Sequence, residues 1–159
     1  MPARRSRTRA PSTACTPDAA VSGRLTAQVG YNRRGRIVMI KLVQCIHAKG
    51  GLPPQEFRRY WRRYGDLLRD SLDAVGAVEL ELTTTLAVQA NAELMISRST
   101  GKPFDAMAEI WWESAQALDK ALATAEAQEV MEAVQRLQEE FVDLSRSVFF
   151  FAYQEPEGA

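Results

Sequence analysis

From residue 39 onward two hydrophobic rhythms alternate along the chain. Residues 39–47, "MIKLVQCIH", are short, β-branched and apolar on both faces, which predicts a buried strand. "AKGGLPP" reads as a turn, and Pro54 suits a first helical turn, where its missing N–H costs nothing. Phe57, Tyr60, Trp61, Tyr64, Leu68 and Leu72 then recur at steps of three and four, while Arg58, Arg59, Arg62, Arg63 and Arg69 take the other faces. This spacing predicts an amphipathic helix of about five turns. A period of two returns in 76–88, "GAVELELTTTLAV", a second strand. The connection over 89–104 has room for one short helix, with Leu94 and Met95 as its apolar side. In 105–112, "DAMAEIWW", Ala106, Ala108, Ile110 and Trp112 share one face of a third strand, and Asp105, Met107, Glu109 and Trp111 the other. Ser114 and Thr124 are placed to cap helices over 115–123 and 125–140. "VFFFAY", 148–153, is a fourth strand, which Pro156 ends.

Strand, helix, strand, strand, helix in two pieces, strand is the split βαβ, ferredoxin-like plan. The expected class is α+β: a βαββαβ protomer whose four-stranded antiparallel sheet carries its helices on one face. Such a sheet should be polar on its second face. "MIKLVQCI" and "VFFFAY" are instead apolar on both, so the second face also needs cover. A homodimer in which two sheets meet and enclose a barrel meets that need. It places a pocket between the sheets, lined by sheet residues and strand-edge aromatics.

Charge changes the picture at one end. The chain is neutral overall, but residues 1–38 hold eight arginines against a single acid, Asp18, and the remainder is correspondingly acidic. The first 38 residues have no helical or strand period and a composition that does not order itself. A basic arm, a transit peptide and an over-extended gene start at Met39 compete as readings; the last is preferred. The chain therefore divides into a disordered or mis-annotated basic extension, 1–38, and a folded domain, 39–156. An acidic body argues against nucleic acid as a partner. No apolar run approaches the roughly 20 residues that span a bilayer. Two cysteines, Cys15 and Cys45, form no disulfide framework, and a reduced, cytoplasmic setting is expected.

Three segments, "MIKLVQCIHAKGGLPPQEFRRYW", "FDAMAEIWWES" and "EEFVDLSRSVFFFAYQE", resemble in order and spacing the EthD family of the dimeric α+β barrel superfamily. The resemblance covers 39–156. It implies a barrel-forming dimer and a small hydrophobic, aromatic or polyketide-like substrate. The leading chemistry it implies is oxidoreduction without a bound cofactor, with lyase or isomerase chemistry close behind. Family members usually carry a His five residues after the Tyr of a Tyr-Trp pair. Counting from Tyr60, that position is Gly65, and Leu67 stands where a Pro is expected. The missing His favours a second class of function, a non-catalytic binding or accessory protein.

The remaining chemistry is sparse. His47 alone has an ordinary pKa near neutrality and is a candidate base, against a structural role at a strand end. Glu109, mid-strand among apolar neighbours, is a second candidate proton carrier, against pairing with an arginine of the first helix or Arg146. Asp105 lies about 13 Å from Glu109 along the strand, too far for a carboxylate dyad, so it is a candidate substrate contact only by itself. Tyr64 is expected to hydrogen-bond a substrate oxygen at the pocket rim, while Tyr60, Trp61 and Trp112 divide between core and pocket wall. Arg146 is weighed as an anchor for an anionic group against a local ion pair with Asp143. Gly65 is weighed as a tolerated kink against room for a ligand. Neither metal-ligand spacing nor a phosphate loop is present.

Overall fold

A computed structural model describes residues 39–154. The basic segment 1–38 and Pro156, with the expectations attached to them, lie outside these residues. The elements run β1 (Ile40–Ile46), α1 (Pro54–Asp70), β2 (Glu79–Thr84), α2 (Gln89–Arg98), β3 (Ala106–Trp112), α3 (Ala115–Leu122), α4 (Ala125–Phe141) and β4 (Val148–Tyr153). The strands form one antiparallel sheet in the order β2-β3-β1-β4. The fold is α+β and ferredoxin-like, as the hydrophobic pattern predicts.

Local chemistry sets the helix ends. Pro54 opens α1, with Glu56 in its first turn and Arg69 in its last, each complementing the helix dipole. The Ser114 and Thr124 hydroxyls accept from the N–H groups of Ala117 and Ala127, both at 3.1 Å, and so cap α3 and α4. Between α1 and β2 the chain turns at Gly76, whose φ of 62° suits a residue without Cβ.

The strands sort their side chains by parity. Ala106, Ala108, Ile110 and Trp112 are all buried on the helix-covered face, beside Leu42, Gln44 and Ile46 of β1. Lys41, Val43 and Cys45 share the open face with Met107, Glu109 and Trp111. On β4, Phe149, Phe151 and Tyr153 are in register with Gln44, Leu42 and Ile40, while Val148 and Phe150 align with Cys45 and Val43. All five of these β4 residues are exposed, so the expectation of two apolar faces is met there.

Two expected boundaries shift. The second strand runs Glu79–Thr84, not 76–88; just past it Thr85 keeps a backbone hydrogen bond to the Asp105 carbonyl at 3.1 Å while its hydroxyl donates to the Phe104 carbonyl at 2.6 Å. The short helix of the β2–β3 connection is a ten-residue helix with no buried residue. Of the two residues predicted for its apolar side, Leu94 is exposed and Met95 half-buried.

Candidate functional site

The aromatic stripe of α1 decides how the helices stand. Tyr60 stacks on Phe141 of α4 at 5.6 Å between centroids, and Phe57 and Tyr64 tilt against the same ring at 5.8 and 5.7 Å. Trp61 stacks between Phe57 and Tyr64. Aromatic pairs at these spacings add about 0.5–1.5 kcal/mol each beyond their buried area. The stripe thus clamps α1 to α4. Beside the clamp, toward β4, the helices stand away from the sheet and leave a cavity of about 400 Å³. Leu42, Ile110 and Trp112 form its floor, Leu68, Leu118 and Val134 its roof, and Phe149, Phe151, Met131 and Leu144 its exposed mouth. The volume falls within the range of small-molecule pockets.

The pocket therefore lies on the helix-covered side of a single protomer. The sequence reading put it on the opposite face, between two sheets. Parity shows which face is covered, but not that the covering layer leaves a gap.

One patch of the wall is polar. Gln44 of β1 and Gln138 of α4 both line the cavity, and behind them lies Tyr64, fully buried. The Tyr64 hydroxyl donates to Gln44 Oε1 and accepts from Gln138 Nε2 at 2.7 Å. Gln138 Nε2 also approaches Gln44 Oε1 at 3.3 Å. Burial pushes the Tyr64 phenol above its ordinary range, against the smaller opposing pull of the hydrogen bonds with Gln138 and Gln44. It stays a neutral hydroxyl, a donor rather than a base. Tyr64 does not reach the rim where it was expected, because the clamp holds it one layer behind the two amides.

Trp112 does line the cavity. Its indole N–H donates to the Val75 carbonyl at 2.8 Å, and its ring meets Phe151 at 6.3 Å. Trp61 and Tyr60 are taken up by the clamp and do not line it.

His47, Glu109, Asp105 and Arg146 all fall outside the cavity. His47 lies three residues past Gln44, roughly 10 Å farther along the strand. It is buried, tilted against Phe104 at 4.7 Å, with Nδ1 3.6 Å from Asp105 Oδ2. Burial works to raise the Asp105 pKa. It is outweighed by the Ala48 N–H at 2.9 Å, by Lys102 and by His47, and the carboxyl ends below its ordinary range. Glu109 is on the open face and pairs with Lys41, not with an arginine. Lys41 also sits over the Trp111 ring at 4.5 Å. The expected Asp143–Arg146 ion pair is replaced by a Ser145 hydroxyl donating to Asp143 at 2.6 Å. Cys45, beside Glu109, has its thiol pushed up by burial and then by that carboxylate, which works against a nucleophilic role.

Gly65 is filled. A Cβ built there would stand 2.5 Å from Leu82 Cδ1 of β2. The glycine lets α1 settle onto the sheet, α1 runs unbroken from Pro54 to Asp70, and Leu82 occupies the space a larger residue would take.

Gln44 and Gln138, which sequence reasoning does not single out, are the buried amides of this wall; Ser71, which also lines the cavity, is buried but spends its hydroxyl on the Leu67 carbonyl. Their signal is an amide on an apolar stripe: "LVQCI" in β1, and Val134, Leu137, Gln138, Phe141 in α4. Among the described residues no cluster of three His, Cys, Asp or Glu side chains is placed to hold a metal ion. None of the described helices is long and apolar enough to cross a membrane.

Comparison with known proteins locates the chain further. The EthD domain profile matches residues 49–145. No curated protein matches significantly. Among solved structures, a dimeric protein of unknown function and ferredoxin-like fold from Bacteroides fragilis is similar, with a TM-score of 0.51 at 8% identity over 73% of this chain and 96% of its own. An ethyl tert-butyl ether d (EthD) family protein from Bacillus halodurans gives 0.50 at 14% identity over 74% and 99%. Hydroxynitrile lyase from Passiflora edulis gives 0.50 at 12% identity over 76% and 97%. At these identities the likeness is one of fold.

Proposed function

The chain belongs to the EthD family, and on that premise we propose that its domain, residues 39–156, binds a small hydrophobic molecule in the cavity between sheet and helices. The observation that carries this reading is the cavity itself, about 400 Å³ with a wall of aliphatic and aromatic side chains and one amide patch. Naphthalene titrated calorimetrically into the full chain tests it. One molecule binds per chain, and Val134→Phe, which fills the roof, lowers affinity at least tenfold. Absence of binding to the unaltered protein, or indifference to the filled roof, refutes the reading.

A second reading is cofactor-independent oxidoreduction of the bound molecule, with lyase or isomerase chemistry as its neighbour. The amide patch favours it, because a pocket for hydrocarbon alone has no use for buried polar groups that cost free energy unless partnered. His47 and Glu109 lie outside the cavity and supply no base to it. Oxygen uptake with 1,4-dihydroxynaphthalene, which yields the quinone and hydrogen peroxide, is the assay. A rate above the uncatalysed one, lost in Gln44→Leu while naphthalene still binds, supports turnover; a rate equal to the uncatalysed one leaves a binding protein.

The working unit we propose is a homodimer joined through the open sheet face. Exposed Val148 and Phe150 on that face support it, as does the dimeric description of the Bacteroides relative. Phe150→Asp converts the sedimenting dimer to monomer if this is the interface.

A further inference from the structure

The amide patch specifies more than polarity. Gln44 Oε1 is taken twice, by the Tyr64 hydroxyl and by Gln138 Nε2. Gln44 Nε2 is thereby turned away from the network, and it has no partner among the described residues, on a side chain only 2% exposed. Gln138 spends its Nε2 on Tyr64 and Gln44, which leaves Oε1 likewise turned away and without a partner among them. Neither free atom is sealed in. Among the described residues the buried polar side-chain atoms that are closed off and unpartnered are His47 Nδ1 and Trp111 Nε1, at other places in the fold. The free donor and the free acceptor belong to two residues of one cavity wall.

Reversing both amides and turning the hydroxyl gives a second consistent network, since a phenol both donates and accepts. In that state Gln44 offers the acceptor and Gln138 the donor. Either way the wall presents one of each. Two free donors would require the Tyr64 hydroxyl to donate twice; two free acceptors would set the two amide nitrogens against each other where Gln138 and Gln44 meet at 3.3 Å and leave the hydroxyl proton without an acceptor.

Charge sharpens the choice. Among the described residues no Lys, Arg or His lines the cavity, and the one charged residue among them that does, Glu132, is exposed at the mouth and paired with Arg136. An anion entering the cavity meets no counter-charge and loses its hydration.

We infer that Gln44 and Gln138 recognise an uncharged hydroxyl or enol on the hydrophobic ligand, one that accepts from one amide and donates to the other, and that Tyr64 is the positioning residue that keeps the two amides complementary. This rests on the cavity being the ligand site. It narrows the ligand class to neutral, hydroxyl-bearing, mostly hydrocarbon molecules.

Three matched probes test it on the full chain at neutral pH: naphthalene, 1-naphthol and 1-naphthoate. The expected order is naphthol about tenfold tighter than naphthalene, with naphthoate weakest. Gln44→Leu brings naphthol and naphthalene to the same affinity. Tyr64→Phe lowers the naphthol preference while leaving naphthalene affinity unchanged, a split that mere loosening of the fold does not produce. A readout on the unaltered protein stands beside the variants: the Gln44 side-chain amide resonances shift with naphthol and not with naphthalene. Equal affinity for naphthol and naphthalene, or a Gln44 amide silent to naphthol, overturns this inference and leaves the cavity reading intact. Failure of all three probes to bind overturns both.

Discussion

The two ends of the sheet make an instructive pair. At one end His47, Asp105 and Lys102 gather ionisable groups around a packed ring, outside the cavity described above. At the other end lies the cavity, whose buried polar lining among the described residues is two neutral amides and Ser71, the latter's hydroxyl spent on the Leu67 carbonyl. Residue type alone points to the first end as the place for chemistry. Geometry points to the second. The Asp105 carboxylate ties β3 to the start of the loop after β1 through the Ala48 N–H, and the His47 carbonyl accepts from Asp143 at 2.8 Å. These contacts fasten the turns at that end. A charged group there performs as a rivet, while an uncharged amide at the other end has a free hydrogen-bonding atom.

Substitutions at the two ends should separate cleanly. The largest effect is expected at Trp112, which is both floor of the cavity and donor to Val75. Trp112→Ala costs about 3–5 kcal/mol in urea unfolding and removes naphthalene binding. Next comes Tyr64→Phe, which leaves two buried amides sharing one hydrogen bond, at about 1–3 kcal/mol. The phenol also gives the cavity end an alkaline signature. Its folded pKa is raised, so the unfolded chain loses this proton first, and stability falls as pH rises past the ordinary tyrosine value of about 10. That fall should be smaller in Tyr64→Phe, measured by denaturant midpoints across the alkaline range. Gly65→Ala is a closer test of packing. Helix propensity gains about 1 kcal/mol, but Leu82 must move, and the net is a loss of about 1 kcal/mol that Leu82→Ala relieves in the double variant.

The far end should answer to acid instead. The Asp105 pKa is depressed, so its stabilisation is complete above the ordinary carboxylate value and is lost as pH falls through the lower folded value. Asp105→Asn should flatten that acid loss and leave naphthalene affinity unchanged. The smallest effect belongs to Arg146→Ala, within about 0.5 kcal/mol, because Arg146 makes no ion pair among the described residues. A weakened ligand site in Asp105→Asn, or an intact one in Trp112→Ala, would erase the distinction between the ends.

Much of the fold is legible in the sequence because its elements obey simple periods. The alternation of Ala106, Ala108, Ile110 and Trp112 is reproduced residue by residue in the burial of β3. Ser114 and Thr124 cap where their chemistry says they should. The site is less legible, for three reasons. A gap between layers leaves no periodic trace. Tyr64 reads as an amphipathic residue suited to a rim, yet its depth is set by Phe141, 77 positions away in the chain. The glutamines look like ordinary polar residues until the stripes they interrupt are seen to be buried, and a buried amide must find a partner. Gly65 carries the same lesson in reverse: its cause is a leucine on a neighbouring strand.

The strand order has a consequence for how the chain is made. β4 takes its place only against β1, and Val43 pairs with Phe150 across more than a hundred intervening residues. β1 therefore leaves the ribosome long before its flank can be closed, and β4 is the last of these strands to be synthesised. "VFFFAY" has the marks of an aggregation-prone segment: strong strand preference, no charge and no proline. Late synthesis shortens the time it spends unpaired, since the other three strands can already present the β1 edge that receives it. Moving it to the front of the chain by circular permutation would leave the same six residues unpaired through the whole of translation, and inclusion bodies on bacterial expression are the expected yield.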